Sequence, residues 1–485
     1  MKLTLKGGFY QARSVIADAQ RCVNLFPEMN PQEDAKSSVT TYPTPGLTYQ
    51  SVAPNNLPER CCYTGSDNQL YKVHGVTVYL VSATFTWYAI GNLTTSSGPV
   101  SICDNGLDGG NQAIVVDGSI VGFRFTLGDK TGSSWQQITD AGFFGGTKVD
   151  FADGYFIINQ PETQQWYISD NNASTFTMVP NFASKEGAQD ILVTLAVMHR
   201  EVWLFGSRTT DVYYNAGTAD FPYAIMPGVF MQQGCMAPYS VARFDVKLFW
   251  LGQENSGRCV VFMGMSYNAV RISTHPIEDV LTSYETVYDA IGSIHQLEGH
   301  PFYVLTFPTA NATWVYDLAT SIWHERAYID ANGNENAVLP FFYTNVYNAI
   351  YCGDRTNGNL YTLDPQAFDD NGAPIARIRS FPTMDDDVRI IYDKLVLDMT
   401  AGQPMVGSTA GNYSNPTVSL RWSDDGGNTW GQAVQILLGA AGQYQTRPTL
   451  WRMGYGRRRV YECSWSAPAD IALNGAWMEF RKAAS

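Results

Sequence analysis

Apolar and polar residues along this chain alternate over short strands, and long helical stripes are missing. Residues 153–170 read DGYFIINQPETQQWYISD, and residues 199–216 read HREVWLFGSRTTDVYYNA. The same texture returns at 245–264, 299–318 and 347–364. Each unit is a polar turn, an apolar strand, a loop and a second strand rich in aromatics, which predicts hairpins buried on both faces. The centres of the first strands fall at Tyr155, Trp203, Phe249, Tyr303 and Ile350, spaced 48, 46, 54 and 47 residues apart. Weaker copies lie at 112–129 and 61–75. A period of this length with several strands per unit predicts a β-propeller of six or seven blades over residues 51–370. The alternative is two β-sandwiches with coincidental spacing.

The flanks differ from the repeat. Residues 20–47, QRCVNLFPEMNPQEDAKSSVTTYPTPGL, carry a short apolar run from Cys22 to Phe26, stopped by Pro27. A polar span then leads to Pro43 and Pro45, closed by Gly46. This pattern predicts an N-terminal arm and linker over residues 1–50. Past Gly372 two alternating strands, VRIIYDKLVLDM (388–399) and TVSLRW (417–422), flank a Gly/Ser/Asn-rich loop, so residues 371–485 are expected to form a C-terminal β module or else to add strands to the propeller.

Composition narrows the class. Of 485 residues, 45% are hydrophobic and only 16% charged, with 43 Gly, 28 Tyr and 24 Phe, which favours an all-β fold with tight turns. The net charge of −14 opposes a grip on nucleic acid through its phosphates. The N-terminal MKLTLKGGFYQARSV lacks the apolar core of a signal peptide, and no run has the length of a span, so no membrane anchor is expected. Eight cysteines without CxxC spacing read as reduced thiols of a protein made in cytoplasm. The adjacent Cys61 and Cys62 point to opposite faces of a strand.

Candidate chemistry is sparse. SDDGGNTW fits the Asp-box pattern, with Ser423, Asp425, Gly427, Thr429 and Trp430 at its fixed positions. Asp425 can accept backbone N–H groups across the turn, Gly427 permits a positive φ, and Trp430 plugs the hairpin base. The box is a structural staple, found in sialidases and in many other β-proteins. Sialidases usually carry several copies, and this chain has one good one. The run Asp385–Asp386–Asp387 reads as a solvated turn. The six histidines include no HExxH and no zinc spacing, and His295 and His300 read as hairpin residues. DANGNEN (330–336) fails as a calcium loop, because Glu335 stands where Gly is required and Phe341 where Glu is required. Catalytic, metal-binding and cofactor-binding residues are therefore expected to be none. One basic cluster remains in WRMGYGRRRVYECSW (451–465): Arg452, Arg457, Arg458 and Arg459 form a candidate partner-docking patch. Its plain alternative is a solubilising strand edge.

The N-terminal ARSVIADAQRCVNLFPEMNP with YPTPGLT, and the C-terminal LWRMGYGRRRVYECSWSAPADIALNGAWMEF, resemble the packaged-DNA stabilisation or tail hub (nozzle) proteins of short-tailed bacteriophages, typified by phage P22. The resemblance covers both ends and the order of motifs between them. It implies a non-enzymatic virion protein of the tail, synthesised in the host cytoplasm. Six copies would form a homo-hexameric ring below the portal and its adaptor (head-to-tail connector) ring. That ring would continue the DNA channel, help retain packaged DNA without sequence-specific binding, and carry the tail needle or tip and the fibres or tailspikes. The arm at 20–47 would then reach across a subunit boundary. An acidic conduit suits this role, since each strong phosphate contact would tether the sliding DNA. The competing class is a sialidase-like carbohydrate-active or glycan-binding β-propeller, resting on the Asp box and the aromatic content.

Overall fold

The first strands of the hairpin units become the most buried parts of the molecule. Phe156–Ile158, Val202–Phe205, Leu248–Leu251 and Phe302–Leu305 are almost wholly shielded from solvent, because each strand is covered on both faces by neighbouring sheets. The computed structural model describes residues 2–3, 5, 8–31, 36–106, 110–177, 181–218, 221–254, 256–382, 388–407, 411 and 413–483. The Asp385–Asp387 run lies outside the described residues.

Among those residues, seven four-stranded antiparallel arrays succeed one another as blades. Blades 1 to 6 span 59–92, 101–137, 149–184, 192–225, 242–271 and 291–326. Blade 7 takes three strands from 343–364 and its fourth, Gly46–Val52, from the N-terminal side. Tyr155, Trp203, Phe249, Tyr303 and Ile350 all sit on the second strand of their blades, so the sequence spacing measures blade to blade. The first strand of blade 7 lies against the first strand of blade 1, and the ring is closed.

Gly46–Val52 pairs antiparallel with Asn359–Asp364, fastening the last blade with a strand from the start of the ring. Gly46 has to be glycine here. A Cβ at this position would stand 2.1 Å from the Asp369 carbonyl oxygen, which is backbone and cannot swing aside. The Pro43–Pro45 segment thus sets the chain on its closing course.

The helix His275–Ser283 links blades 5 and 6, begins with Pro276 in its first turn, and buries Ile277 and Leu281. Among the described residues no helix is long and apolar enough to cross a membrane.

The C-terminal module is a β-sandwich. One layer, in order Arg21–Val23, Arg377–Pro382, Val460–Trp465, Thr417–Ser423, Val434–Leu437, joins the outer strand of blade 6 through a parallel contact of Val23 with Glu325. The other layer holds Leu25–Met29, Val39–Pro43, Leu473–Lys482, Ile390–Met399 and Thr449–Trp451, with Lys2–Leu3 added on Leu473–Lys482. Phe381, Tyr392, Leu397, Leu420, Tyr461 and Met478 fill the space between them, together with Leu3, Leu5 and Phe9 from the N-terminus.

The described part of residues 1–50, read from the sequence as an arm and linker, packs within this chain on both domains. Within this chain the segment is woven into the C-terminal sandwich, and its last strand belongs to the propeller. The fully buried Arg379 explains the attachment. Its guanidinium donates to the carbonyls of Gly8 (2.7 Å), Arg21 (3.4 Å) and Leu5 (3.3 Å) and to Gln20 Oε1 (3.0 Å), and lies 4.5 Å over the Phe9 ring. A buried guanidinium needs several acceptors, and the N-terminal backbone supplies them.

Candidate functional site

The Asp box closes the hairpin between Thr417–Ser423 and Val434–Leu437. Thr429 donates to Asp425 from its backbone N–H (2.9 Å, Oδ1) and from its hydroxyl (2.7 Å, Oδ2), while the Ser423 hydroxyl donates to Asp425 Oδ1 at 2.6 Å. These donors, Ser423 first, hold the Asp425 carboxyl below the ordinary carboxylate range. Gly427 adopts φ 103°, and a Cβ there would meet that of Ala19 at 2.7 Å. The turn therefore also seats the N-terminal residues 15–19. Trp430 follows the turn, on the far side of Thr429. It is half-buried, with the Arg421 guanidinium 5.0 Å over its ring.

The fold brings the Asp-box turn and the arginine cluster side by side. The Gly426 N–H donates to the Arg458 carbonyl at 3.1 Å. Asp424 receives Arg459 in a two-pronged pair, Nε to Oδ1 at 2.6 Å and Nη2 to Oδ2 at 2.9 Å. Arg459 also donates to the carbonyls of Met453 (2.7 Å) and Tyr455 (3.3 Å) and lies 4.2 Å over the ring of Tyr392. It is buried, so Arg459 leaves the docking set: its charge is neutralised and stacked inside the sandwich. Arg452, Arg457 and Arg458 are exposed.

Beside them lies a sheet face that no sequence motif marks. Cross-strand register places Tyr455, Ile391 and Arg481 in one row, Trp451, Lys394 and Glu479 in the next, and Thr449, Val396 and Trp477 in a third. The intervening Tyr392, Leu395 and Leu397 are buried, so these rows face outward. Trp451 is 58% exposed, Tyr455 60% and Trp477 45%. Lys394 sits 4.6 Å over the Trp451 ring and Arg389 4.6 Å over that of Tyr455. Lys394 also pairs with Glu479 at 3.1 Å, and Arg481 with Asp393 at 3.3 Å. Partial alternation in 390–399 and 473–482 was the available signal, since Lys394, Glu479 and Arg481 interrupt largely apolar strands. Aromatic rings with stacked cations suit recognition of a protein surface bearing carboxylates.

Elsewhere the polar groups serve the scaffold. Among the described residues no cluster of three His, Cys, Asp or Glu could hold a metal ion. The eight cysteines are free thiols; burial pushes that of Cys61 up to about 12. Asp330 accepts the backbone N–H groups of Asn332 (2.9 Å) and Asn334 (2.8 Å), making DANGNEN the turn of a small hairpin.

Two family models match, one described as Bacteriophage P22 Gp10, beta-propeller, over residues 1–368 and one as Bacteriophage P22 Gp10, beta-sandwich, over residues 377–481. The tail hub protein gp10 of Salmonella phage P22 is 24% identical over 347 residues, covering 67% of this chain and 69% of that protein. Among solved structures, the WD40 β-propeller domain of Doa1 aligns with a TM-score of 0.42 at 9% identity, over 66% of this chain and 98% of that one. The N-terminal domain of Nup159 aligns at 0.41 and 10% identity, over 69% and 97%. The chain belongs to the P22 Gp10 family.

Proposed function

From this membership we propose that the chain is a structural, non-enzymatic component of a short-tailed phage virion, the tail hub. Six copies form a ring below the portal and adaptor, continue the DNA channel, help retain packaged DNA, and carry the needle and the fibres or spikes. The observation that carries this reading is the match to the family in both domains and in their order. Two physical features support it. The N-terminal strand Arg21–Val23 ties propeller and sandwich into one continuous nine-stranded sheet, which suits a wall that must bear internal pressure. The net charge of −14 disfavours tethering of passing DNA. Against that acidic background, Arg452, Arg457 and Arg458 beside the exposed aromatic face are the proposed docking surface for the adaptor or a neighbouring copy.

The test adds purified protein to DNA-filled heads that carry portal and adaptor but no hub. The expected result is a sixfold ring below the adaptor by electron microscopy and DNA that becomes resistant to added nuclease. A monomer that never joins the heads, or that hydrolyses glycosidic bonds, overturns the reading.

A further inference from the structure

The outer strand of blade 6, Ile322–Arg326, places His324 and Arg326 on the same face, turned toward the interior. Arg326 is only 5% exposed. Its guanidinium lies 4.8 Å over the Phe302 ring, and Nη1 is 3.2 Å from His295 Nε2. The remaining edge of the fork, Nε and Nη2, has no hydrogen-bond partner. Among the described residues no carboxylate stands within ion-pairing distance of it. Glu325, the next residue in the strand, pairs with Arg21 instead. Asp317 is committed to His300 Nδ1 (2.8 Å), the Thr320 hydroxyl (2.8 Å) and the Ala319 N–H (2.9 Å).

Arg326 cannot shed its charge, because a guanidinium stays protonated at any pH a protein survives. Asp317 acts on it through space but stands beyond ion-pairing distance. His295 and His324 are held neutral, by burial first and by Arg326 second. The free edge therefore presents a buried positive charge with no close counter-charge, a state that favours an added anion.

A cavity of about 30 Å³ adjoins it where blade 6, blade 7 and the N-terminal corner meet. Arg326, Asn24, Thr44, Tyr343 and Asp370 line it, with Leu47 among the apolar walls. The Asn24 side chain is spent on the backbone of Ala327 and Ala376. The space admits a water-sized sphere and therefore a small spherical ion. We propose that Nε and Nη2 of Arg326 hold one chloride-sized monovalent anion in this cavity, binding blade 6, blade 7 and the N-terminal corner to one another. The competing counter-charge is Asp370, linked to Arg326 through water.

Crystals of the full chain grown in sodium bromide provide the first measurement. An anomalous peak at the Arg326 fork edge is expected, and its absence overturns the proposal. Thermal unfolding in potassium chloride and in potassium gluconate at equal ionic strength provides the second. A saturable rise in Tm with chloride is expected for the wild type and for Asp370→Asn, and none for Arg326→Met. Equal Tm values in both salts, with Asp370→Asn strongly destabilised, would identify Asp370 as the counter-charge and overturn the proposal. Should Arg326→Met fail to fold, the bromide peak still decides.

Discussion

Arg459 and Asp424, 35 residues apart in the chain, meet through two parallel hydrogen bonds of 2.6 and 2.9 Å, with Arg459 buried and Asp424 at the rim. The pair joins the arginine-rich loop to the Asp-box turn. Arg459→Met therefore leaves two backbone carbonyls and a carboxylate without their donor, at a cost of about 2–4 kcal/mol. Arg457→Met, two residues earlier and exposed, changes stability by less than about 0.5 kcal/mol. Urea unfolding of the two single variants checks the contrast, and equal midpoints would contradict the assignment.

The proposed docking role of the exposed arginines separates assembly from folding. The triple variant Arg452→Glu, Arg457→Glu, Arg458→Glu is expected to unfold at nearly the wild-type temperature yet to fail to join DNA-filled heads, which then leak. Charge reversal at a desolvated interface pair costs several kcal/mol of binding, against under about one for exposed pairs. Nuclease-accessible DNA and ring occupancy by microscopy are the readouts. Normal rings would assign these residues to solvent.

The Asp425 carboxylate holds its own turn, on which the N-terminal residues 15–19 rest. Asp425→Ala is expected to speed amide exchange in residues 423–430 and 15–19 while blade strands such as Val202–Phe205 keep their protection. Hydrogen exchange read by mass spectrometry distinguishes this from a ligand site, where binding would be lost with exchange unchanged.

Asp370 makes stability depend on pH. Burial, opposed by Arg377, pushes its carboxyl up to about 7, whereas an unfolded aspartate titrates near about 3.9. The folded state binds the extra proton between these values. Its contribution is complete below about pH 4 and is lost as pH rises to about 7. The stability difference between wild type and Asp370→Asn should thus move against the wild type across that window and level off above it. Chemical unfolding at pH 4.5, 6 and 8 measures it, and a flat difference would refute the assignment.

Repeat spacing and strand texture were legible in the sequence because both are local. Tyr155, Trp203, Phe249, Tyr303 and Ile350 mark one strand per blade, and alternation within a hairpin needs only its own residues. The propeller, the β-rich C-terminal module and the Asp-box turn follow from such short-range patterns. The count of blades stayed between six and seven because the last blade borrows Gly46–Val52, whose partners lie more than 300 residues away. The fate of the N-terminus was hidden for the same reason. The pairing of Arg21 with Ser380 and the grip of Arg379 on Gly8 depend on partners that no local spacing reveals. Residue type alone also could not sort the arginines. Arg457 and Arg459 are two apart in one basic run, yet the sandwich encloses one with Asp424 and three aromatic rings and leaves the other in solvent. A charged side chain becomes structural or available according to what tertiary packing sets beside it, and only the folded chain decides that.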